Sequence, residues 1–385
     1  MNNFGTLLGF ELKKLLINKV TILLLVLFAV FLFGVTMLEY TVISPENRFV
    51  SEREAELEGM KLDDELITKT TEEAARYGSL TEIDGNSLYY HVSRYINRAL
   101  GTYLTIPDLS VSVSAEELTG ESFYRNREIL LDYLHDYFQL DDMEKTYWHS
   151  KESEISKPFT WQANYGISAM RGNFGMTTAL SAITIGICLS GIFASESRYR
   201  TDSLIMCTKA GVKTLPLIKI LAGEIFSLIV STMLLVSVQL PHILFNGLHG
   251  IGTACQLIVP FTSCPCTSGK LLLIYTGLFF LASLLIGAVT ILLSRILNHM
   301  IAAGGMICFT VLADLFLTIP PNFRILSQLR YLTPLQVLIN SSITDPRLVR
   351  IGSMYLTVFQ ASAILYTLLL VICLSAIFPG KNREK

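Results

Sequence analysis

The chain has 385 residues, of which 51% are apolar and 16% charged, against roughly 25% charged in soluble domains. A mean hydropathy of +0.49 excludes the soluble globular class and marks an integral membrane protein. The formal net charge of −2 conceals a division: residues 40–171 carry 13 basic and 24 acidic side chains, the remainder 17 basic and 8 acidic. An acidic soluble domain is thus inserted into a basic membrane domain, and its charge excludes nucleic acid as a partner.

Residues 1–19 carry Lys13, Lys14 and Lys19 against Glu11. Residues 20–38 are uncharged and long enough to cross the hydrocarbon, which takes about 20 helical residues. The run ends at Glu39-Tyr40 without a small-residue cleavage site, so it reads as a retained span and not as a signal peptide. Residues 1–40 therefore form one unit. Residues 41–171 form the acidic domain, large enough for its own core and expected to be mainly helical. Residues 51–77 are rich in Glu, Leu, Lys and Ala, and 87–100 carry Tyr89, Tyr90, Val92, Tyr95 and Ile96. Within 121–147, Ile129, Leu130, Tyr133, Leu134, Tyr137 and Phe138 recur at helical spacing. Pro107 and residues 109–114 mark a loop or a short extended piece. Trp161, Tyr165 and Met170 precede the second span and suit a membrane interface.

Residues 172–385 supply five more expected spans, at 172–195, 220–245, 271–293, 301–319 and 354–378. Pro241 is expected to kink or end the third span, Pro320-Pro321 to stop the fifth, and Pro379-Gly380 to end the sixth. Lys and Arg accumulate in short cytoplasmic loops. The N-terminus, residues 196–219, the turn 294–300 and the C-terminus hold 12 basic residues, and the loops 247–270 and 322–353 hold 5. The expected fold is therefore an all-α multi-pass protein of the cell membrane. It has six transmembrane helices, both termini cytoplasmic, and a mainly helical extracellular domain between the first two spans.

Residues 196–219 stand out. Arg198, Arg200, Lys209, Lys213 and Lys219 face only two carboxylates, Glu196 and Asp202. Positive charge by itself serves topology, but Leu204-Ile205-Met206 and Leu215-Pro216-Leu217-Ile218 add apolar faces, and Gly211 separates the halves. That pattern suits a short amphipathic helix along the membrane followed by a turn.

Sites for chemistry are scarce. There is no GxxxxGK[ST] phosphate loop; Ser268-Gly269-Lys270 lacks both the upstream glycine and the following hydroxyl residue. No HExxH zinc helix and no GxSxG elbow occur, so no catalytic residue and no cofactor are assigned. His242, His249, Cys255, Cys264 and Cys266 lie in or beside one loop. A metal site, a disulfide from Cys255 to Cys264 or Cys266, and free thiols packed on the spans all stay open. Cys188, Cys308 and Cys373 read as small packing residues. Two carboxylates fall within spans. Glu224 sits about one turn in, within reach of the interface, Lys219 or Arg198. Asp314 sits deeper, without a basic neighbour in sequence. Each is either a static pairing group or part of a path used in a conformational change.

The segment Phe10-Glu11-Leu12-Lys13-Lys14-Leu15-Leu16-Ile17-Asn18-Lys19 resembles the short cytoplasmic helix that opens the membrane subunits of type-2 ATP-binding-cassette transporters. Residues 196–219, with Thr201-Asp202, Thr208-Lys209-Ala210-Gly211 and Lys219, resemble that family's loop between the second and third spans. The six-span layout covers the whole chain; the domain at 41–171 is larger than in the family's compact members. The resemblance implies a permease that pairs with a copy of itself or with a second permease. It also implies a separate nucleotide-binding ATPase subunit docked on the first cytoplasmic loop, through Arg198, Arg200, Thr201, Asp202, Leu204, Ile205, Lys209, Gly211, Lys213 and Lys219. The expected function is export of a lipid, peptide or other amphipathic compound, with no enzyme activity in this chain. The alternatives are a signalling or mechanotransmission subunit whose outer domain binds an external ligand or protein, and a polytopic membrane enzyme, which the lack of an acid/base constellation disfavours.

Overall fold

The computed structural model describes residues 3–101, 118–198, 214–320, 322–339, 345–352 and 354–377. α1 (Asn3–Leu16) ends ahead of Asn18, whose side chain caps α2 (Lys19–Leu38) by accepting a hydrogen bond from the Val20 amide at 2.9 Å. α2 has no charge beyond Lys19 and runs on through a π-helical turn, Glu39–Ile43.

The acidic domain is helical, in shorter pieces than its composition predicts. Residues 51–77 are not one helix. Val50–Arg53 and Ala55–Leu57 are single turns, Gly59 takes a left-handed φ of 84°, and α3 (Asp64–Tyr77) starts anew where Asp63 caps Glu65. α4 spans Tyr90–Ala99. Residues 121–147 are also split. α5 (Gly120–Tyr137) is followed by Gln139 at a φ of 54°. α6 (Asp142–Ser153) then begins at a capping box in which Asp141 and Glu144 satisfy each other's amides, a local signal that overrides continued apolar spacing.

Leu62, Leu66, Ile96, Phe123, Phe159 and Trp161 are among the residues that form this domain's core, and Leu257 from the loop at 247–267 joins them. Trp161 is 1% exposed and donates its indole N–H to Glu54 at 3.1 Å. The expectation that it sits in a lipid interface is therefore corrected: Tyr95 packs on it and Glu54 satisfies its only donor.

The second apolar run is three coaxial pieces, α7 (Tyr165–Gly172), α8 (Phe174–Leu189) and α9 (Gly191–Arg198). α10 (Thr214–Asn246) is a single helix of 33 residues that passes through Pro241, so this proline does not end it. α11 (Ser268–Leu297) and α12 (Met300–Phe316) are joined at Asn298, which adopts a left-handed φ of 51°. α13 (Arg324–Tyr331) leads to a small antiparallel hairpin, β1 (Val349–Ile351) and β2 (Met354–Leu356), and then to α14 (Val358–Ile377). The last apolar helix starts later than residue 354 because 354–356 pair with β1.

Five helices among the described residues are long and apolar enough to cross a membrane. α12 is apolar but has only 17 residues, about 26 Å at 1.5 Å per residue, slightly short of a hydrocarbon core of about 30 Å. α10 packs on α1, α2, α7, α8 and α11, while α11 also packs on α9, α12 and α14. Close approach of α10 and α11 depends on missing side chains: a Cβ at Gly287 would lie 2.5 Å from Ser227 Oγ.

Candidate functional site

The basic segment begins at the end of α9 and finishes inside α10. Arg200, Thr201, Asp202, Leu204, Ile205, Lys209, Gly211 and Lys213 lie outside the described residues; Arg198 and Lys219, at its two ends, lie within them. Arg198 is exposed. Lys219 is fully buried. Its ammonium is ion-paired with Glu196 of α9, donates to the Ile192 carbonyl at 2.7 Å and lies 4.9 Å above the Phe193 ring. Glu11 of α1, itself buried, lies within electrostatic reach of the same ammonium. A charge this deep persists only when paired and hydrogen-bonded.

Further contacts brace the same corner. The Arg295 guanidinium of α11 lies 5.7 Å from the Phe193 ring centroid and donates to the Ile377 carbonyl at the end of α14. Ser294 donates to the Ser190 carbonyl at 2.7 Å and accepts from the Phe193 and Ala194 amides at 3.1 and 3.2 Å, which supplies the break between α8 and α9 with partners. The two anchor points of the basic segment are thereby held side by side against α1 and α11. Sequence reading singled out Lys219 but not its partner; Glu196 was visible only as a carboxylate at the edge of an apolar run.

The two intramembrane candidates differ. Glu224 does not pair with Lys219, which Glu196 already holds; both of its carboxylate oxygens are buried with no hydrogen-bond partner. One of them faces Gly287 of α11, where an added Cβ would lie 3.3 Å away. Asp314 is not deep in its helix. It lies two residues before the end of α12 and accepts from the Thr333 hydroxyl at 2.6 Å, while its carbonyl accepts from Gln336 at 2.7 Å and from Arg330 at 3.3 Å. These bonds tie the end of α12 to residues 330–336.

At the opposite end of the bundle a buried polar network joins spans and acidic domain. His242 of α10 bonds Tyr40 through Nδ1 and Asn173 through Nε2, both at 2.7 Å. Asn246 donates to Tyr40 and to the Asn47 carbonyl and accepts from the Val50 amide. Both His242 nitrogens being taken, it joins no metal cluster with His249 and the loop cysteines. Cys255, Cys264 and Cys266 are free thiols. Cys264 and Cys266 sulfurs are 3.4 Å apart, and Cys255 Sγ donates to the Cys264 carbonyl at 3.1 Å. Hydrogen bonding to its two neighbours, together with burial, pushes the Cys255 thiol up, so it stays protonated.

Beside these thiols a cavity of about 600 Å³ opens between α6, α11 and α14. Its lining includes Leu273, Ile274, Leu281 and Phe359 together with Lys270 and Lys151, the latter paired with Glu154. It has the size and the mixed lining of an amphipathic-ligand site. No protein-family model, no curated protein and no solved structure matches this chain.

Proposed function

We propose that the chain is the membrane permease subunit of an ATP-driven exporter, with six spans, both termini in the cytoplasm and the acidic domain outside. In this reading a separate ATPase subunit docks on residues 196–219 and a second permease completes the pore. The observation that carries it is the Glu196–Lys219 clamp. It ties both ends of a basic, partly apolar segment to the helix bundle beside α1, so a push on the segment reaches α9, α10 and α11 together. In the sequence, the segments that this topology puts in the cytoplasm carry 12 basic residues and the opposite loops 5, the bias expected of a cytoplasmic side. The cavity lined by apolar side chains and two lysines supports an amphipathic cargo.

A second reading, a signalling subunit driven by an external ligand, draws on the domain's bonds to the loops of the spans. Arg127, Trp148 and Glu144 bond residues 260–262, 346 and 348. Cysteine labelling in intact cells tests orientation: Lys209→Cys in a cysteine-free background should react only after the membrane is made permeable. Co-purification with the ATPase should be lost in Leu204→Asp and in Gly211→Pro. Labelling from outside, or normal co-purification of both variants, would overturn the docking role. ATP-driven flux in vesicles separates export from signalling.

A further inference from the structure

Far from the basic segment, three side chains of the acidic domain converge. Asp132 and His135 stand one turn apart on α5, and His149 comes from α6. One ligand atom from each lies within 4.8 Å of the other two. Asp132 Oδ1 is 3.9 Å from His135 Nδ1 and 3.6 Å from His149 Nε2, too long for hydrogen bonds. The two imidazoles meet edge to face, with centroids 5.7 Å apart. His135 is 4% exposed, and its buried Nδ1 has no hydrogen-bond partner. Buried polar atoms are ordinarily satisfied, so this one needs a reason.

We propose that Asp132, His135 and His149 bind a zinc-type divalent cation that ties α5 to α6. Zinc takes imidazole nitrogen at about 2.0–2.1 Å and carboxylate oxygen at about 2.0–2.2 Å in a tetrahedron, which sets neighbouring ligand atoms about 3.3–3.5 Å apart. The separations between Asp132 and the two histidines exceed that by only a few tenths of an ångström. His135 is fixed by burial, whereas Asp132 and His149 are 61% and 60% exposed and are free to close on it. Two imidazoles with one carboxylate select zinc or another late first-row ion over calcium or magnesium. Three protein ligands leave a fourth position for water. The neighbouring Lys145 is paired with Asp136 at 2.7 Å, which offsets its charge beside the site. α6 also carries Glu144 and Trp148, which bond Arg324, Leu348 and Pro346. A cation between α5 and α6 therefore stiffens the part of the domain that touches the loops of the spans. This inference does not rest on the transport reading.

The test uses the full chain, purified without a histidine tag in detergent or nanodiscs and titrated with Zn²⁺ and Co²⁺. Saturable binding with one ion per chain and a raised unfolding temperature are expected. The Co²⁺ spectrum should show tetrahedral d–d bands without a thiolate charge-transfer band. His149→Ala, at an exposed position, should unfold like the wild type without metal yet bind Zn²⁺ at least about tenfold more weakly. Asp132→Asn should weaken binding as well. A combined serine substitution of Cys255, Cys264 and Cys266 should leave the affinity unchanged. No binding by the wild type, unchanged affinity in both His149→Ala and Asp132→Asn, or a thiolate band lost with the cysteines would overturn the assignment.

Discussion

The two ends of the helix bundle are held by different means. At the end that meets the acidic domain, many side chains bond backbone and side-chain groups of other segments. Arg127 donates to the Pro260 and Thr262 carbonyls and pairs with Glu152, Asn246 serves residues 40, 47 and 50, and Arg347 pairs with Asp345 and bonds Ser327. At the α1 end, one ion pair, Glu196 with Lys219, joins the helices on either side of a basic segment, and Ser294 and Arg295 brace it. Between the two ends lies Glu224, buried and unbonded. The contrast teaches that, among the described residues, polar cross-links are spread over many segments at the domain end, whereas at the α1 end they centre on Glu196, Lys219, Ser294 and Arg295.

That contrast can be broken most forcefully at the domain end. Arg127→Met leaves two carbonyls without their donor and Glu152 with Lys157 alone, and should cost about 3–4 kcal/mol, read as a large drop in unfolding temperature of the purified protein. An unchanged transition would show that these cross-links contribute little. At the α1 end, Lys219→Met removes the ammonium paired with Glu196 and should cost about 3 kcal/mol. Adding Glu196→Gln should recover most of it, because neither member of the pair is then buried alone; a double variant no better than the single would sink the clamp. Between the ends, Gly287→Val forces α10 from α11 and should cost about 1–3 kcal/mol through overpacking. A structure of that variant with unchanged helix spacing would contradict the packing argument.

Glu224→Met should raise stability by about 1 kcal/mol, since an unsatisfied buried carboxyl is replaced by an apolar group. If the variant is instead less stable, Glu224 has a partner in the folded protein. If it is more stable but no longer supports flux, the carboxyl is retained for function. The smallest effect is one of pH. Burial would raise the Glu152 carboxyl, yet Arg127 beside it and Lys157 hold it below its ordinary value of 4.5. Its folded pKa is therefore depressed. The associated stability is present above about pH 4.5 and is lost as pH falls through the folded value. Arg127→Met should flatten the acid limb of a plot of unfolding temperature against pH; an identical limb would remove Glu152 from the account.

Much of this was legible in the chain. The apolar runs announce the long helices because a run of that length without charge has few alternatives to a span, whereas the helix start at Asp141 and Glu144 is passed over because apolar spacing continues through 121–147. Three misreadings share one cause. Trp161 looked like an interfacial aromatic, Asp314 like a deep carboxylate, and Glu224 like a carboxylate within reach of the interface, Lys219 or Arg198. In each case the deciding neighbour, Glu54, Thr333 or Glu196, is set by packing and not by proximity in sequence.

The sequence by itself determined that this is a multi-helix membrane protein with an acidic insertion, since hydropathy and net charge are sums over residues and need no geometry. Only the tertiary structure decided which charge meets which, where Glu224 is left alone, and that Asp132, His135 and His149 converge. Such facts depend on contacts between segments far apart in the chain, and hydrogen bonds and ligand sites act over about 3 Å, a scale that composition and periodicity do not reach.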